Sequence, residues 1–586
     1  MSDFKSEIRD NMRIDWDVPI TMDDGLVLRA DVFRPVADGK YPALVSYGPY
    51  GKGLAFQDGY KTAWEIMCRE NPDAVANSTN QYQNWEVVDP EKWVPDGYVC
   101  VRVDSRGAGR SPGYLCHNNA RENKDFHDCI EWAAVQPWCS GKVGLNGISY
   151  YASNQWRAAA TQPPHLAAIC VWEGWVDNYR DSTHHGGIIC VFRKNWQDMQ
   201  VKTVQHGVGE RGTRSSLTGE LACGPETLSE AELVKNREDM WANLISNTMD
   251  GPYYRERSGD LSKVKAPLLS AANWGGQGLH PRGNFEGFVR AASEQKWLEA
   301  HGGSHWAPFY TDYGVGLQKK FFDYFLKGKQ NGWDKQPKVQ LQIRYAHNDG
   351  VEKFVQRHEN EWPLARTQWT HFYLDAEKLA LDISKNNIIK TITYDAMGDG
   401  VTFSTAALEK DTEITGPSAL KLFVSSSTCD ADMFIILRVF DAQDQEVLFQ
   451  GALDPKTPIA QGWLRASHRK LDTALSLPYR PYHTHDEKQP LTPGHVYELD
   501  IEIWPTSIVV PKGCRIGLSI RGKDYVYPGP SGGKLSNFKN ELTGCGPFLH
   551  DDPRDRPAAI FGGRTTLHFG PGCEAWVQLP IIPAKD

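Results

Sequence analysis

Two kinds of apolar pattern alternate in the first third of the chain, and this alternation constrains the fold more than any other feature. Short apolar runs over residues 41–47, 98–103 and 166–172 predict strands, whereas apolar residues at helical spacing over 121–136 and 150–160 predict helices. Strands that alternate with helices are typical of a sheet with crossover connections. Residues 14–22 and 26–33 flank Asp23-Asp24-Gly25 and predict an antiparallel hairpin, because an Asp-Gly pair tolerates the positive φ of a tight turn.

The alternation is interrupted once and later stops. Residues 177–264 lack strong strand patterns and contain a helical pattern over 229–244, which predicts a mainly helical insertion. Strands are predicted again at 266–272 and 296–300, with helices at 283–293 and 313–326. Beyond about Gly332, strand patterns punctuated by Pro and Gly follow one another without helices, as in a β-sandwich. The predicted organisation is an α/β core (1–176 and 265–332), a cap inserted at 177–264, and an all-β domain at 333–586.

The charge balance argues against two classes of partner. The chain has 64 Lys and Arg against 73 Asp and Glu, a net charge of -9, whereas nucleic-acid and anionic-membrane binders need a basic surface. Its first ten residues do not resemble a signal peptide, and no run of eighteen apolar residues occurs. We therefore expect a cytoplasmic protein, monomeric or homodimeric, whose partner is a small molecule.

Cysteine and histidine spacing gives no sign of a cofactor or metal. The 12 Cys are scattered without a CxxC pair, as expected of reduced thiols. The pairs His184-His185 and His483-Thr484-His485 lack further ligands at a convincing spacing. We expect these histidines to be solvated loop residues, with no bound metal and no cofactor.

Ser149 is the candidate nucleophile. It follows Gly147 by two residues, at the junction of a predicted strand with a predicted helix, as a nucleophile elbow requires. Tyr151 occupies the position of the second glycine of the strict pattern, and Ala152 is the next small residue. The backbone N–H of Tyr150 would point towards a developing oxyanion. The alternative is that Ser149 only caps the helix.

Two histidines follow the last predicted strand of the core. His301 ends that strand, whereas His305 lies after Gly302-Gly303 in a loop that could carry it towards Ser149. Because the base follows the acid in this order of catalytic residues, we favour His305 as the base and interpret His301 as a packed or capping residue.

Five motifs follow one another along the chain: SYGPYGK at 46–52, VDSRGAGRSPG at 103–113, GISY at 147–150, FFDYFLKG at 321–328 and GWLRAS at 462–467. In this order they resemble motifs of the cocaine-esterase-like hydrolases, relatives of the X-prolyl dipeptidyl peptidases. The resemblance implies an α/β-hydrolase core, an inserted helical cap and a C-terminal jelly roll. It also implies that the Tyr50 hydroxyl is the second oxyanion donor beside the Tyr150 N–H; the alternative for Tyr50 is a packed turn aromatic.

One position departs from that family. Its triad acid usually follows the strand that corresponds to 266–272, but Gly276 stands there, and the loop has no carboxylate before Glu286. A catalytic histidine that lacks an orienting carboxylate would lower the reaction rate by up to about 10⁴-fold. The first candidate for a displaced acid is Glu173, at the end of the strand 166–172. The alternative for Glu173 is an ion pair with Arg180 or Arg193. Glu286 and Asp177 are the other candidates, and the acid could also be missing.

The residues together predict a serine hydrolase that cleaves a carboxylic ester or amide through an acyl-enzyme on Ser149. Four tryptophans flank the predicted catalytic loops and predict an aromatic substrate pocket: Trp172, Trp175, Trp274 and Trp306. Ester hydrolysis is preferred over amide hydrolysis only by the resemblance. The alternatives are an X-prolyl-type peptidase, an acyltransferase and, from another class, a catalytically weak pseudo-hydrolase or binding protein.

Overall fold

The computed structural model describes residues 4–346, 353–385 and 387–584. Its N-terminal α/β unit contains these strands: β1 Lys5–Arg9, β2 Met12–Thr21, β3 Val27–Pro35, β4 Tyr41–Gly48, β5 Val99–Asp104, β6 Cys139–Ile148, β7 Leu166–Trp172, β8 His184–His185, β9 Ile188–Ile189, β10 Leu268–Asn273 and β11 Lys296–His301. The predicted strands of this unit are confirmed, and the hairpin β2–β3 turns at Gly25 with φ 84°.

The order of the main sheet is β1-β2-β3-β5-β4-β6-β7-β10-β11. The first three strands form an antiparallel edge, and the strands from β5 to β11 are parallel. Ala43 and Val45 of β4 belong to an apolar cluster with Ile130 and Ala158, whereas Leu44 belongs to a second cluster. Helices therefore cover both faces, and the carboxyl ends of the parallel strands meet at one edge.

The α-helices are α1 Phe56–Gly59, α2 Lys61–Glu70, α3 Pro72–Val75, α4 Pro90–Trp93, α5 Ala120–Ala134, α6 Tyr150–Ala160, α7 Phe192–Trp196, α8 Glu230–Lys235, α9 Met240–Ser246, α10 Pro252–Glu256, α11 Pro281–Arg290, α12 Asp312–Lys327 and α13 Ala558–Phe561. The predicted helix at 229–244 is wrong as one element, because it is α8 and α9. Ser229 starts α8 with a capping box, and the Asp239 carboxylate accepts the Ala242 N–H to start α9.

Shorter helical turns are concentrated between β7 and β10. The π-helical turns are Asn178–Thr183 and Gln197–Val201, and the 3₁₀ turns are Val94–Asp96, Lys202–Val204, Gly209–Arg211, Leu261–Lys263, Trp333–Lys335 and Ala466–His468. The segment between β7 and β10 is thus mainly helical, with β8–β9 as a small hairpin. None of the helices in the described ranges is both long and apolar enough to cross a membrane.

The C-terminal part is built from strands: β12 Val339–Tyr345, β13 Lys353–Glu359, β14 Gln368–Asp375, β15 Ala380–Asp382, β16 Lys390–Asp395, β17 Val401–Ser404, β18 Thr412–Ser426, β19 Asp432–Phe440, β20 Glu446–Val447, β21 Ala460–Arg465, β22 Tyr497–Val510, β23 Arg515–Arg521, β24 Arg564–Phe569 and β25 Trp576–Ile582. β18 pairs antiparallel with β22, β24 and β25, while β19 pairs with β20, β21 and β23. Both groups contribute to one apolar core, with Leu420 and Leu422 from β18 and Ile435 and Leu437 from β19. The jelly-roll order of these strands stays a prediction.

Candidate active site

Ser149 occupies a sharp turn between β6 and α6 at the carboxyl edge of the sheet. Its backbone has φ 56° and ψ -108°, a conformation that a serine adopts only when its surroundings impose it. Hydrogen bonds from the Ser149 N–H to the carbonyls of Trp172 (3.1 Å) and Glu173 (3.2 Å) hold the turn. This is the strand-turn-helix geometry of a nucleophile elbow.

The spacing of small residues around Ser149 has a steric reason. A Cβ atom on Gly147 would lie 2.5 Å from the Cβ of Tyr151 and 3.0 Å from the carbonyl oxygen of Glu86, so glycine is required there. Tyr151 is tolerated at the position of the missing glycine because its ring packs against Gly48, where a Cβ would lie 2.5 Å from that ring. Glycine on the neighbouring strand thus compensates for the departure from the strict pattern.

The hydrogen-bond partner of the Ser149 hydroxyl is His280. The Oγ–Nε2 distance is 3.0 Å, and the histidine lies immediately before α11, which begins at Pro281. Burial, followed by the charge of His305, holds the pKa of His280 well below its ordinary value. His280 is therefore a neutral imidazole at neutral pH and can accept a proton from the serine.

His305, the base favoured by the sequence, lies directly behind His280. The two rings are parallel, with centroids 5.0 Å apart. His305 Nδ1 is 2.6 Å from Glu173 Oε2, and its Nε2 is 2.9 Å from Glu86 Oε1. Burial opposes charge on this ring, but the two carboxylates outweigh it and raise the pKa of His305 to about 10. His305 is thus an imidazolium at neutral pH, and its ring nitrogens bond carboxylates.

Glu173 alone among the three candidate acids contacts a histidine. Besides His305, its carboxylate bonds His301 Nε2 at 3.1 Å and Asn273 Nδ2 at 3.2 Å. Burial raises the pKa of Glu173, but the charges and hydrogen bonds of His305 and His301 outweigh burial and lower it to about 2. Neither Arg180 nor Arg193 pairs with it: Arg180 bonds Asp177 and Asp250, and Arg193 bonds Asn118.

The other two candidate acids are engaged elsewhere. Glu286 pairs with Arg480 and Arg290, and Asp177 pairs with Arg180 while its Oδ1 caps the following π-helical turn. Both carboxylates are neutralised by arginine, so neither is placed to orient an imidazole.

His301 is fully buried, as expected of a packed residue. Its Nδ1 lies 2.7 Å from Glu299 Oε2, and the indole of Trp172 stacks on it with centroids 4.9 Å apart. Burial opposes its charge, but Glu299 and Glu173 raise the pKa of His301 to about 9. His301 therefore carries positive charge to the far side of Glu173 and helps to keep that carboxylate ionised.

Tyr50 lies among aromatic rings next to the elbow. Its ring makes edge contacts with Tyr150 (6.1 Å between centroids) and Tyr151 (5.7 Å). Trp196 Nε1–H donates to the Tyr50 oxygen at 2.9 Å. Because the indole can only donate, this bond leaves the phenol proton free to be donated elsewhere. Burial, with Glu86 next, holds the pKa of Tyr50 well above its ordinary value, so the phenol stays protonated.

Glu86 is a second functional residue that the sequence did not reveal. Its Oε1 lies 2.9 Å from His305 Nε2, and its Oε2 is buried without a hydrogen-bond partner among the described residues. The backbone N–H of Tyr150, the one expected to receive an oxyanion, lies near this carboxylate. Its own carbonyl accepts the Ile148 N–H at 2.9 Å, which fixes the segment beside β6. Burial raises the pKa of Glu86. A substrate oxygen that uses the Tyr150 N–H would therefore lie close to this carboxylate.

Two of the four tryptophans predicted to line a pocket pack into the interior. Trp274 stacks on Phe285, and its Nε1 donates to the carbonyl of Gln342 at 2.8 Å; this apolar cluster lies between the α/β unit and β12. Trp172 packs against His301. We therefore correct the prediction for these two residues, whose rings support the site from behind.

The other two tryptophans are also buried. Trp175 lies between the guanidinium groups of Arg157 and Arg193, at 5.1 and 5.6 Å from its ring centroid. Trp306 lies 6.0 Å from Trp85, which in turn contacts the His305 ring at 6.2 Å. The aromatic groups nearest the elbow are instead Tyr50, Tyr150, Tyr151 and Trp196.

Similarity to known proteins agrees with this geometry. Residues 24–307 match the X-Pro dipeptidyl-peptidase (S15 family), and residues 331–578 match the X-Pro dipeptidyl-peptidase C-terminal non-catalytic domain. A crystal structure of a CocE/NonD family hydrolase from Staphylococcus aureus is 30% identical, with a TM-score of 0.83, and the match covers 99% of this chain and 97% of that one. The chain belongs to the CocE/NonD family of hydrolases.

Two relatives are named for two different activities, one as an esterase and one as a dipeptidyl peptidase. A cocaine esterase from Rhodococcus sp. (strain MB1 Bresler) is 24% identical, over 98% of this chain and 99% of the relative. A Xaa-Pro dipeptidyl-peptidase from Lactobacillus delbrueckii subsp. lactis is 20% identical, over 85% of this chain and 71% of the relative. The family thus has serine esterases and dipeptidyl peptidases as members, and this chain is a serine-type hydrolase with a C-terminal non-catalytic domain.

Proposed function

We propose that this hydrolase cleaves carboxylic esters of small apolar or aromatic compounds through an acyl-enzyme on Ser149. The observation that carries the proposal is the hydrogen bond between the Ser149 hydroxyl, held in a strained elbow, and the neutral imidazole of His280. A strained serine in hydrogen-bond contact with an uncharged histidine is the arrangement that nucleophilic catalysis needs. The rings around Tyr50 favour an apolar acyl or alcohol group.

In the proposed mechanism His280 takes the proton of Ser149 as the hydroxyl attacks the carbonyl carbon. The oxyanion accepts hydrogen bonds from the Tyr50 hydroxyl and the Tyr150 N–H. His280 then protonates the leaving alcohol, and the same histidine activates the water that releases the acyl group. We assign the role of direct base to His280 in place of the predicted His305, since His305 already holds a proton between Glu173 and Glu86.

Glu173 is proposed as the displaced acid, acting on both histidines. It hydrogen-bonds His305, and one of its oxygens lies within 4.8 Å of a ring nitrogen of His280. Its negative charge stabilises His280 when that ring becomes an imidazolium. The loop that lost the family carboxylate at Gly276 supplies His280 instead, four residues later.

A second candidate function is favoured by Glu86. A buried carboxylate next to the Tyr150 N–H is a suitable partner for the ammonium group of a substrate. A peptidase or amino-acid esterase would use such a group to bind the free amine beside the bond to be cleaved. This candidate predicts that α-aminoacyl arylamides or esters are better substrates than neutral aryl esters, and that Glu86→Gln raises their KM.

The proposal is tested with p-nitrophenyl esters of acetate, butyrate and benzoate, alongside α-aminoacyl arylamides. Ser149→Ala should abolish turnover, whereas Ser153→Ala, one turn further along α6, should retain it. His280→Gln should reduce kcat by about 10³-fold or more, a loss typical for removal of a general base. If Ser149→Ala retains activity, the hydrolase mechanism is wrong; if His305→Gln abolishes turnover and His280→Gln does not, the base is His305, as the sequence predicted.

A further inference from the structure

Four histidines that were expected to be solvated are in fact buried. His184, His185, His483 and His485 are at most 5% exposed, so that prediction is wrong. The cap hairpin β8–β9 explains the burial of the first pair: a Cβ on Gly186 in its turn would lie 2.1 Å from the carbonyl oxygen of Trp463. Only glycine lets the hairpin lie this close to β21.

This close approach brings together donor groups from two units. His185 ends β8, and Cys190 follows β9, so the hairpin places them side by side. His550, from the C-terminal unit, has its Nε2 only 2.7 Å from His185 Nδ1. The ligating atoms of His185, Cys190 and His550 all lie within 4.8 Å of one another, and all three residues are buried.

The outer nitrogens of the two rings are held by oxygen acceptors. His185 Nε2 lies 3.2 Å from the Asp181 carbonyl oxygen, and His550 Nδ1 lies 2.8 Å from Asp524 Oδ1. With the ring protons on these outer nitrogens, each inner nitrogen presents a lone pair to the other. A metal ion between the two rings would bind both lone pairs.

We infer that His185, Cys190 and His550 form a binding site for a zinc ion between the cap and the C-terminal unit. Two imidazoles and a thiolate are donors that zinc prefers, and carbonyl or carboxylate partners on the outer nitrogens are typical of metal-binding histidines. Zinc–nitrogen bonds of about 2.0 Å and zinc–sulfur bonds of about 2.3 Å put neighbouring donors roughly 3.3 to 3.7 Å apart. The two nitrogens, 2.7 Å apart, must separate slightly, and the sulfur must approach them by about 1.3 Å at most.

Charge balance is consistent with a divalent ion. Binding releases the Cys190 thiol proton, both imidazoles stay neutral, and the zinc–thiolate pair has one net positive charge. The Asp524 carboxylate, hydrogen-bonded to His550, compensates that charge. With three protein donors, a water molecule would complete a tetrahedral coordination.

The experiment measures zinc in untagged protein that has been dialysed against Zn²⁺ and then against metal-free buffer. Elemental analysis should find one zinc per chain in wild type and less than one tenth of that in Cys190→Ser and His550→Gln. His280→Gln is the matched control, because Glu173, His280 and His305 are a second set of close donors at the active site. Zinc retained in Cys190→Ser and His550→Gln, or lost in His280→Gln, would overturn the assignment.

Cobalt binding gives a second, spectroscopic test of the same site. Co²⁺ added to metal-free wild type should produce a thiolate-to-cobalt charge-transfer band in the near ultraviolet and the visible bands of tetrahedral cobalt. Neither the active-site donors nor a surface histidine pair provides a thiolate, and loss of the band in Cys190→Ser identifies Cys190 among the 12 cysteines as its source. Absence of the charge-transfer band, or wild type that retains no stoichiometric zinc, would refute the site, while the proposed hydrolysis would be unaffected.

Discussion

Replacing Glu173 by Gln keeps the shape of the side chain but removes the charge that faces both histidines. An oxygen of Glu173 and a ring nitrogen of His280 lie within 4.8 Å. At that separation and an effective dielectric constant of about 20, two unit charges attract each other by roughly 3.5 kcal/mol. His280 is charged only after it has taken the serine proton, so the loss falls on the transition state. That energy corresponds to a reduction of about 300-fold in kcat, with a smaller change in KM.

The assay is steady-state hydrolysis of p-nitrophenyl butyrate, with thermal unfolding to verify that each variant is folded. Glu286→Gln is the matched control, since Glu286 is also a buried glutamate but pairs with Arg480 and Arg290. We expect kcat of this control to stay within about threefold of wild type. Retention of more than a tenth of the wild-type kcat by Glu173→Gln, or a larger loss in Glu286→Gln, would refute the role of Glu173.

Three further predictions concern the groups around this carboxylate. Tyr50→Phe removes an oxyanion donor and should lower kcat by about 10²- to 10³-fold with little change in KM in the same ester assay; an unchanged kcat would exclude the phenol from the oxyanion site. Trp196→Phe keeps an aromatic ring at this position but removes the N–H that orients the Tyr50 oxygen. In that assay kcat should fall only about two- to tenfold, and not at all in a Tyr50→Phe background. The stabilising contribution of His305, whose pKa is raised from 6.5 to about 10, is complete below pH 6.5 and lost as the pH rises through 10. Tm measured by scanning fluorimetry should therefore fall between these pH values, and more steeply in wild type than in His305→Gln; equal slopes would contradict the His305 assignment.

Much of the fold could be predicted from local patterns. Helix α6 and strand β7 begin and end at the predicted residues, because a serine elbow, buried alanines and a continuous apolar run are strong local signals. The helix at 229–244 was misjudged because its apolar spacing continues across Asp239, whose side chain starts a new helix.

The site was only partly predictable, because some of its residues come from segments that lie far apart in the sequence. Ser149 is recognised by its local turn, and Glu173 by its position at the end of a strand beside β6. A local signal for His280 is its position in the loop where the family resemblance implies a triad acid, directly before Pro281 at the start of a helix. Glu86 had no such signal, because it reaches His305 from a segment 219 residues away.

The central claim, that Ser149 is an activated nucleophile, is tested most directly by labelling with a fluorophosphonate. The native protein should react with one equivalent of the probe, and mass spectrometry of the digest should locate the adduct on Ser149. Heat-denatured protein and His280→Gln should label at least about 100-fold more slowly, since reactivity depends on the bond to the imidazole. Absence of label on Ser149 in the native protein, or a label on another residue only, would contradict the account.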